Sequence, residues 1–531
     1  MSSNAKELIF EEEARSKLSK GIEEVAKTVS FTLGPKGRNV GLSAAFGSPQ
    51  ITNHGTNIVR EIELEDQFEN MGASMAHEVA SKIKENSGDG TTTGIVLLNA
   101  LVKEGVKNIA SGTSPILLKR GIEKAVDRVI SAVKDSAHPV STKEQIENIA
   151  TVSASNDTEI GSLIAQAFEK VGNEGVISIE QGKGTETVLE TVDGMLFDRG
   201  YLSPYFCTNA EKLTCEMTNP QILVTDSKVT SVQELLPLLQ TVAAAGQELL
   251  IIAEDIEGDP LSTLVVNKIR GSLKVAAVKA PAFGDRRKAM LQDIATLTGA
   301  TVVSSETGMN LKDATAEVLG SCEKVTITKN DTTIIDGKGD QEALKARIAQ
   351  IESEIANASS EYDKEKLQER KAKLSGGVAL IRVGAPTESE MKKKKQIFED
   401  ALSSTRAALE NGYVEGGGVA LLRAATGLDD ADLSDEEKVG FILVKKALEM
   451  PCRQIIENSG KEASLYIEEI TNAQESVGFN ALTGKVEDLL AANIVDPASV
   501  VISSLRFAAS VACIVLISEA LVGDAKEEEA E

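Results

Sequence analysis

The chain has 531 residues, a net charge of −25 and an isoelectric point near 4.8. That length gives several domains, and so acidic a chain lacks the basic face that nucleic-acid binding requires. The five cysteines, Cys207, Cys215, Cys322, Cys452 and Cys513, are odd in number and form no CxxC pair, which fits a reduced, cytoplasmic setting.

Met1–Lys6 lacks an apolar h-region, so no signal peptide is expected, and no apolar run is read as approaching a membrane span. Residues 1–135 read as mostly helical. Within them, Thr32-Leu33-Gly34-Pro35-Lys36-Gly37-Arg38 is a turn rich in Gly, Pro and cations, in itself a common loop. Met71, Met75, Val79 and Ile83 recur at helical spacing, and Gly88-Asp89-Gly90-Thr91-Thr92-Thr93 follows them. That run puts a carboxylate, two glycines and three hydroxyls ahead of the apolar Ile95–Leu98. It suits an anion at a helix start, with Asp89 holding magnesium. It equally suits a polar turn between helices, with threonine as N-cap. It is not a Walker loop, because no lysine follows the glycines. The three histidines, His54, His77 and His138, stand at no metal-ligand spacing, which disfavours a zinc site or a His-based triad.

The centre of the chain reads differently. Ile222–Thr225, Leu249–Ala253, Val275–Val278 and Thr301–Ser304 are short β-branched runs, separated by amphipathic stretches near 231–245, 260–270 and 286–297. Such alternation predicts βαβ units and a parallel sheet. Residues 340–373 read as two charged helices joined at Asn357–Ser360, their charges forming a solvated face. Helix resumes over 411–523, with a capping box of Ser434 and Glu437. Gly416-Gly417-Gly418, flanked by Val414 and Val419-Ala420-Leu421, reads as a packed turn. The acidic end, Ala525–Glu531, has the composition of a disordered tail. Helix, then α/β, then helix is most simply an α/β unit inserted into a helical one, with two chain crossings. Gly194 and Gly376-Gly377 suit hinges at those crossings.

Taken together, the two loops and many longer segments resemble the group I chaperonins, the ATP-dependent protein-folding rings. The likeness includes Phe68–Ala73, Gly194-Met195, Phe197–Phe206, Leu249–Asp255, Phe283–Met290, Glu399–Leu402 and Gly416–Leu421, in order and nearly end to end. It implies a multi-domain fold: a mostly α-helical, discontinuous equatorial ATP-binding domain (1–135 and 411–531), a small α/β intermediate hinge domain (136–193 and 377–410), and an α/β apical polypeptide-binding domain (194–376). It also implies ATP and Mg2+ as cofactors, unfolded polypeptides as clients, a small ring-shaped co-chaperonin, and stacked heptameric rings in the cytoplasm, with no nucleic-acid or membrane partner.

By the same resemblance, Thr32, Leu33, Gly34 and Pro35 wrap the nucleotide, Asp89 ligates magnesium, and Gly90, Thr91, Thr92 and Thr93 hold phosphates. Gly417 approaches the sugar, while Asn480, Ala481, Leu482 and Asp496 border base and ribose. Asp400 positions or deprotonates the attacking water; from its residue neighbours alone it would be one more solvent carboxylate. Members of the family usually carry Thr-Lys-Asp-Gly after a Phe-Gly-Ser-Pro loop. Here Asn53 and His54 replace the lysine and the aspartate facing the terminal phosphate, which implies altered turnover.

The apolar arcs of the two helices near 231–245 and 260–270 are wider than one core-facing stripe. Burial against the sheet accounts for them in a generic α/β domain. The resemblance implies instead an exposed groove, with Tyr201, Tyr205, Phe206, Leu236, Leu239, Leu261, Val265 and Val266 contacting clients. Gln240, Pro260 and Lys268 depart from the usual pattern of these helices. Two readings of function follow: an ATP-driven folding chamber, or a divergent chaperonin that holds clients with weak ATPase. A metabolic kinase or ligase built on the α/β unit finds no small-molecule constellation there.

Overall fold

Helical spacing of apolar residues at both ends of the chain produces helices at both ends. The computed structural model describes residues 5–43 and 49–525 except 155, 174, 183, 210–212, 305, 307, 359, 376, 429, 431–432 and 475. Gly376, most of the Phe-Gly-Ser-Pro loop and the tail beyond Ala525 therefore lie outside the described residues. The chain divides into two units, Met1–Ala165 with Gln396–Glu531, and Gln166–Lys395.

In the first unit, helices Glu11–Ser30, Gln67–Ser87, Thr91–Ala110, Pro115–Asp135, Asp435–Asn458 and Ala498–Ile517 pack about one apolar core. Strand Lys6–Phe10 pairs antiparallel with Ala520–Asp524, joining the two ends of the chain. Ser434 and Glu437 form the expected reciprocal capping box. Helix Ala498–Ile517 corrects the reading that no apolar run has the length of a span. It has the length and hydropathy of one, and it is mostly buried inside the unit. Val500, Leu505, Ala508, Ala512 and Val515 spend its apolar surface on the core.

The second unit is built on a mixed sheet. Among the described residues six of its seven strands run in the order Lys274–Lys279, Glu248–Ala253, Gln221–Val224, Gly320–Ile327, Thr332–Gly337 and Gly194–Phe197, and Cys215–Thr218 pairs antiparallel with Gly320–Ile327 off this path. The first three are parallel, with helices Val232–Ala244 and Asp259–Ile269 in the crossovers, as the β-branched runs predict. The other pairings are antiparallel, so the parallel-sheet expectation holds for only part of the sheet. Thr301–Ser304 is not a strand. It touches the sheet through a single bridge from Val303 to Thr225, whose hydroxyl donates to the Val303 carbonyl at 2.7 Å.

A smaller sheet in the same unit pairs Val378–Val383 parallel with Val176–Gln181 and antiparallel with Val188–Val192. Gly194 lies in a strand where an added Cβ would meet Val378 at 2.3 Å.

Helices Gln341–Asn357 and Glu361–Ser375 appear as expected, but their charges are not all solvated. Asp293 is fully buried. Arg347 Nε donates to it at 2.7 Å, and Arg370 binds it through Nε and through Nη2 at 3.1 Å. A carboxylate this deep is tolerated only when paired and hydrogen-bonded. One arginine from each charged helix meets that need, which ties both helices to Gly284–Thr298.

Candidate functional site

Gly88 ends helix Gln67–Ser87 at φ 74°, and Gly90 precedes helix Thr91–Ala110 at φ 92°. Both conformations disfavour a side chain. An added Cβ at Gly88 would sit 2.2 Å from Ser403, and one at Gly90 would sit 2.5 Å from Ser504. The glycines thus let the loop nest against two other helices of the unit. Ser504 fixes it by donating to the Gly90 carbonyl at 3.0 Å. The N-cap is Gly90, not a threonine, and no side chain caps the helix. The first-turn N–H groups therefore retain their demand for an acceptor. Thr91 Oγ1 lies 3.1 Å from Thr56 Oγ1, and Gly55 packs on the Thr92 hydroxyl. This brings the turn of Asn53 and His54 beside Thr91, Thr92 and Thr93.

Three carboxylates meet electrostatically at this loop. Asp400, on helix Glu388–Asn411, keeps only 16% side-chain exposure. Burial pushes its carboxyl up, the Lys84 ammonium pulls it back, and Asp89 adds to the rise. Gln396 Nε2 donates to Asp400 Oδ1 at 2.8 Å, Lys84 Nζ donates to the same oxygen, and His54 Nδ1 stands 3.6 Å from Oδ2. Asp496 retains some solvent contact, yet packing around its carboxyl, with Asp89 second, pushes it up to about 7. Clustered carboxylates resisting ionisation mark functional sites.

A divalent cation fits this donor set. Magnesium binds one or two carboxylates and completes its shell with phosphate oxygens and water. Among the described residues no three metal-ligating side chains form a cage of their own. Asp89, whose charge reaches both Asp400 and Asp496, is the residue that could hold it.

The remaining nucleotide candidates gather around helix Asp435–Asn458. Asn458 Nδ2 donates to the carbonyls of Ser30 and Leu33, fixing the turn of Thr32, Leu33, Gly34 and Pro35. Gly34, at φ 82°, packs on Ile455. The Thr32 hydroxyl is buried and donates to Val29 at 2.8 Å. Gly418 abuts the backbone of Cys452, and an added Cβ at Gly417, at φ 66°, would meet the Phe479 carbonyl at 3.8 Å, an ordinary contact. The three glycines are a packed turn. Asn480 is buried and caps its own turn, accepting from Leu482 N at 3.0 Å. Ala481 is buried and Leu482 exposed. The Val495–Pro497 strand carries Asp496 and pairs with Tyr413–Glu415, which leads into the glycine turn.

Lys84, Gln396 and Asn458 were not singled out from the sequence. Lys84 offered one signal, a cation in the last helical turn before the glycine loop.

In the second unit, Tyr205, Leu236 and Val266 are 66%, 44% and 42% exposed. Tyr201, Leu261 and Val265 are half-buried against the core. Phe206 and Leu239 are corrected: both are buried core residues and present no surface. Both side chains belong to the apolar core of the unit. Ile269, not anticipated, is 63% exposed beside them in sequence. Helix Asp259–Ile269 packs next to both Pro204–Phe206 and Val232–Ala244, so the exposed residues lie on neighbouring elements.

An anion-ready loop ringed by carboxylates, in a helical unit interrupted by an α/β unit, agrees with the chaperonin resemblance. The TCP-1/cpn60 chaperonin family matches residues 25–526, and the chain belongs to that family. It is also 61% identical over 526 residues to "Chaperonin GroEL 3" of Protochlamydia amoebophila (strain UWE25), covering 99% of this chain and 98% of that one. At that identity over the full length, the chain is an ATP-dependent protein-folding chaperone of GroEL type. GroEL-type chaperonins are in general magnesium-dependent ATPases that form rings and act on unfolded polypeptides with a co-chaperonin.

Proposed function

We propose that this chaperonin itself hydrolyses ATP at the Gly88–Thr93 loop and uses the cycle to bind and release unfolded chains. The convergence of Asp89, Asp400 and Asp496 on that loop carries the reading. The first-turn N–H groups and hydroxyls of Thr91, Thr92 and Thr93 bind phosphate oxygens. Asp400 orients the attacking water and accepts its proton, a role its raised carboxyl suits. Magnesium held by Asp89 supplies charge neutralisation when bound. The Thr32–Pro35 turn, Gly417 and the Asn480–Leu482 turn enclose the rest of the nucleotide. Residues 1–135 with 411–531 act as an equatorial domain, 136–193 with 377–410 as a hinge domain, and 194–376 as an apical domain, in heptameric rings in the cytoplasm. Magnesium-dependent ATPase activity of the purified protein, alone and with a ring-shaped co-chaperonin, tests this. No turnover under either condition would refute it.

A client-holding protein with weak turnover is a second reading, favoured by one observation: an imidazole stands beside Asp400 where a carboxylate is expected. Neutral histidine accepts a single hydrogen bond and the protonated form none, so it orients water less well. The double substitution Asn53→Lys with His54→Asp is expected to raise single-turnover hydrolysis, by at most about 10²-fold since Asp400 remains. An equal or lower rate would show that the site works as well with histidine.

Client binding is assigned to Tyr205, Leu236 and Val266, with Tyr201, Leu261 and Val265 at the edge. Leu236→Ser and Val266→Ser are each expected to weaken capture of a denatured client while shifting stability little. Leu239→Ala is expected to cost about 2–5 kcal/mol through its buried cavity. Unfolding curves read beside client binding separate the two classes. Unchanged capture by the two serine variants would remove this surface from the mechanism.

A further inference from the structure

We propose that Lys84 is the cation that receives the terminal phosphate of ATP in this chain, supplying from helix Gln67–Ser87 the charge that Asn53 does not. The inference rests on the ATPase reading above and names a residue of that same site.

Its basis is position. Lys84 Nζ donates to the Gly88 carbonyl at 3.0 Å and to Asp400 Oδ1. It therefore bridges the first residue of the phosphate loop and the carboxylate that orients water. In-line transfer puts the phosphoryl group between such a loop and such a carboxylate. An ammonium has three donors, and these two contacts leave one for a phosphate oxygen. Its side chain is 30% exposed, so it is reachable from solvent while packed in the site.

Charge requires it as well. Asp89 and, when ionised, Asp400 and Asp496 repel a polyphosphate, and Lys84 Nζ is bonded directly to Asp400. Asn53 brings no charge to the adjoining turn, and His54 contributes one only when protonated. The flexible four-carbon stem of lysine lets Nζ follow the phosphate as charge moves. A purely structural Lys84 would instead cap helix Gln67–Ser87 through the Gly88 carbonyl and brace Asp400.

ATP and ADP affinities, measured by calorimetry with magnesium, discriminate the two roles. Lys84→Asn is expected to weaken ATP about tenfold or more, as for a lost charged hydrogen bond, while ADP changes far less. Lys84→Arg should keep most of the preference for ATP. Adding Asn53→Lys to Lys84→Asn should restore it, whereas Asn53→Lys in the parent should add little. A Lys84→Asn protein that melts earlier but keeps the parental ATP-to-ADP ratio would overturn the proposal in favour of a helix cap. Should that variant fail to fold, Lys84→Gln, which can still donate to Gly88, reads the same ratio. Parent protein that binds neither nucleotide would overturn the ATPase reading itself. Normal parental binding with no change in either Lys84 variant would overturn only the assignment of Lys84.

Discussion

Asp400→Asn is expected to leave ATP binding within a few-fold of the parent and to slow hydrolysis by about 10²–10⁴-fold, the usual worth of general acid–base help. The substitution keeps the shape of the side chain and an oxygen for Gln396 Nε2, which now donates to Asp400 at 2.8 Å. It removes the proton acceptor. The raised carboxyl of Asp400, caused first by burial, makes it a better base than an ordinary surface aspartate. Lys84 keeps the Gly88 carbonyl as a partner, so the helix end stays capped and the fold survives. Single-turnover hydrolysis beside an ATP titration decides the matter. Parental rates with parental affinity would show that another group orients the water.

Much of the fold was legible because it rests on local pattern. The capping box at Ser434, the parallel strands Gln221–Val224, Glu248–Ala253 and Lys274–Lys279, and the paired charged helices all follow from periodicity and end signals. Thr301–Ser304 failed because a β-branched run says nothing of whether a partner edge is free. Only Thr225 met it, and through one bridge. The antiparallel half of the sheet failed for a similar reason: strand direction is set by pairing across long separations, such as Gly320 with Ile222. Arg347 and Arg370 read as part of a solvated face because sequence shows neither their burial nor the buried Asp293 that binds them.

The site was legible unevenly. Glycine spacing singled out Asp89 and the threonines but suits a polar turn equally, and the resemblance pointed to Asp400 from far along the chain. The glycines themselves turn out to serve packing on Ser403 and Ser504 as much as approach to a ligand. Phe206 and Leu239 were placed on a binding face by the resemblance, which does not show which side chains this chain turns into its core. Lys84 escaped notice because a lysine in a last helical turn is ordinary. Only the fold brings it to a carboxylate 316 positions away.

Asp89→Ala is expected to abolish magnesium-dependent turnover while leaving the protein folded. The loop's geometry does not depend on this carboxylate. Ser87 donates to the Asp89 carbonyl at 3.1 Å and Ser504 to the Gly90 carbonyl, both through main-chain acceptors. The side chain's own bond, from Gly90 N at 2.6 Å, is local and replaceable by water. Losing the cation's anchor removes transition-state charge stabilisation of about 4 kcal/mol, or roughly 10³-fold in rate. Stability should move the other way. Asp496 is raised to about 7 by burial and then by Asp89, so its share of stability is full at low pH and lost as pH rises through about 7. Without Asp89 that loss shrinks, and the nucleotide-free variant should melt no earlier than the parent at pH 8. Thermal unfolding at pH 5 and 8, read beside ATPase rates over a magnesium series, tests both halves. Parental turnover in the variant would move the metal to another carboxylate. A collapse in melting temperature at both pH values would show that Asp89 holds the loop itself together.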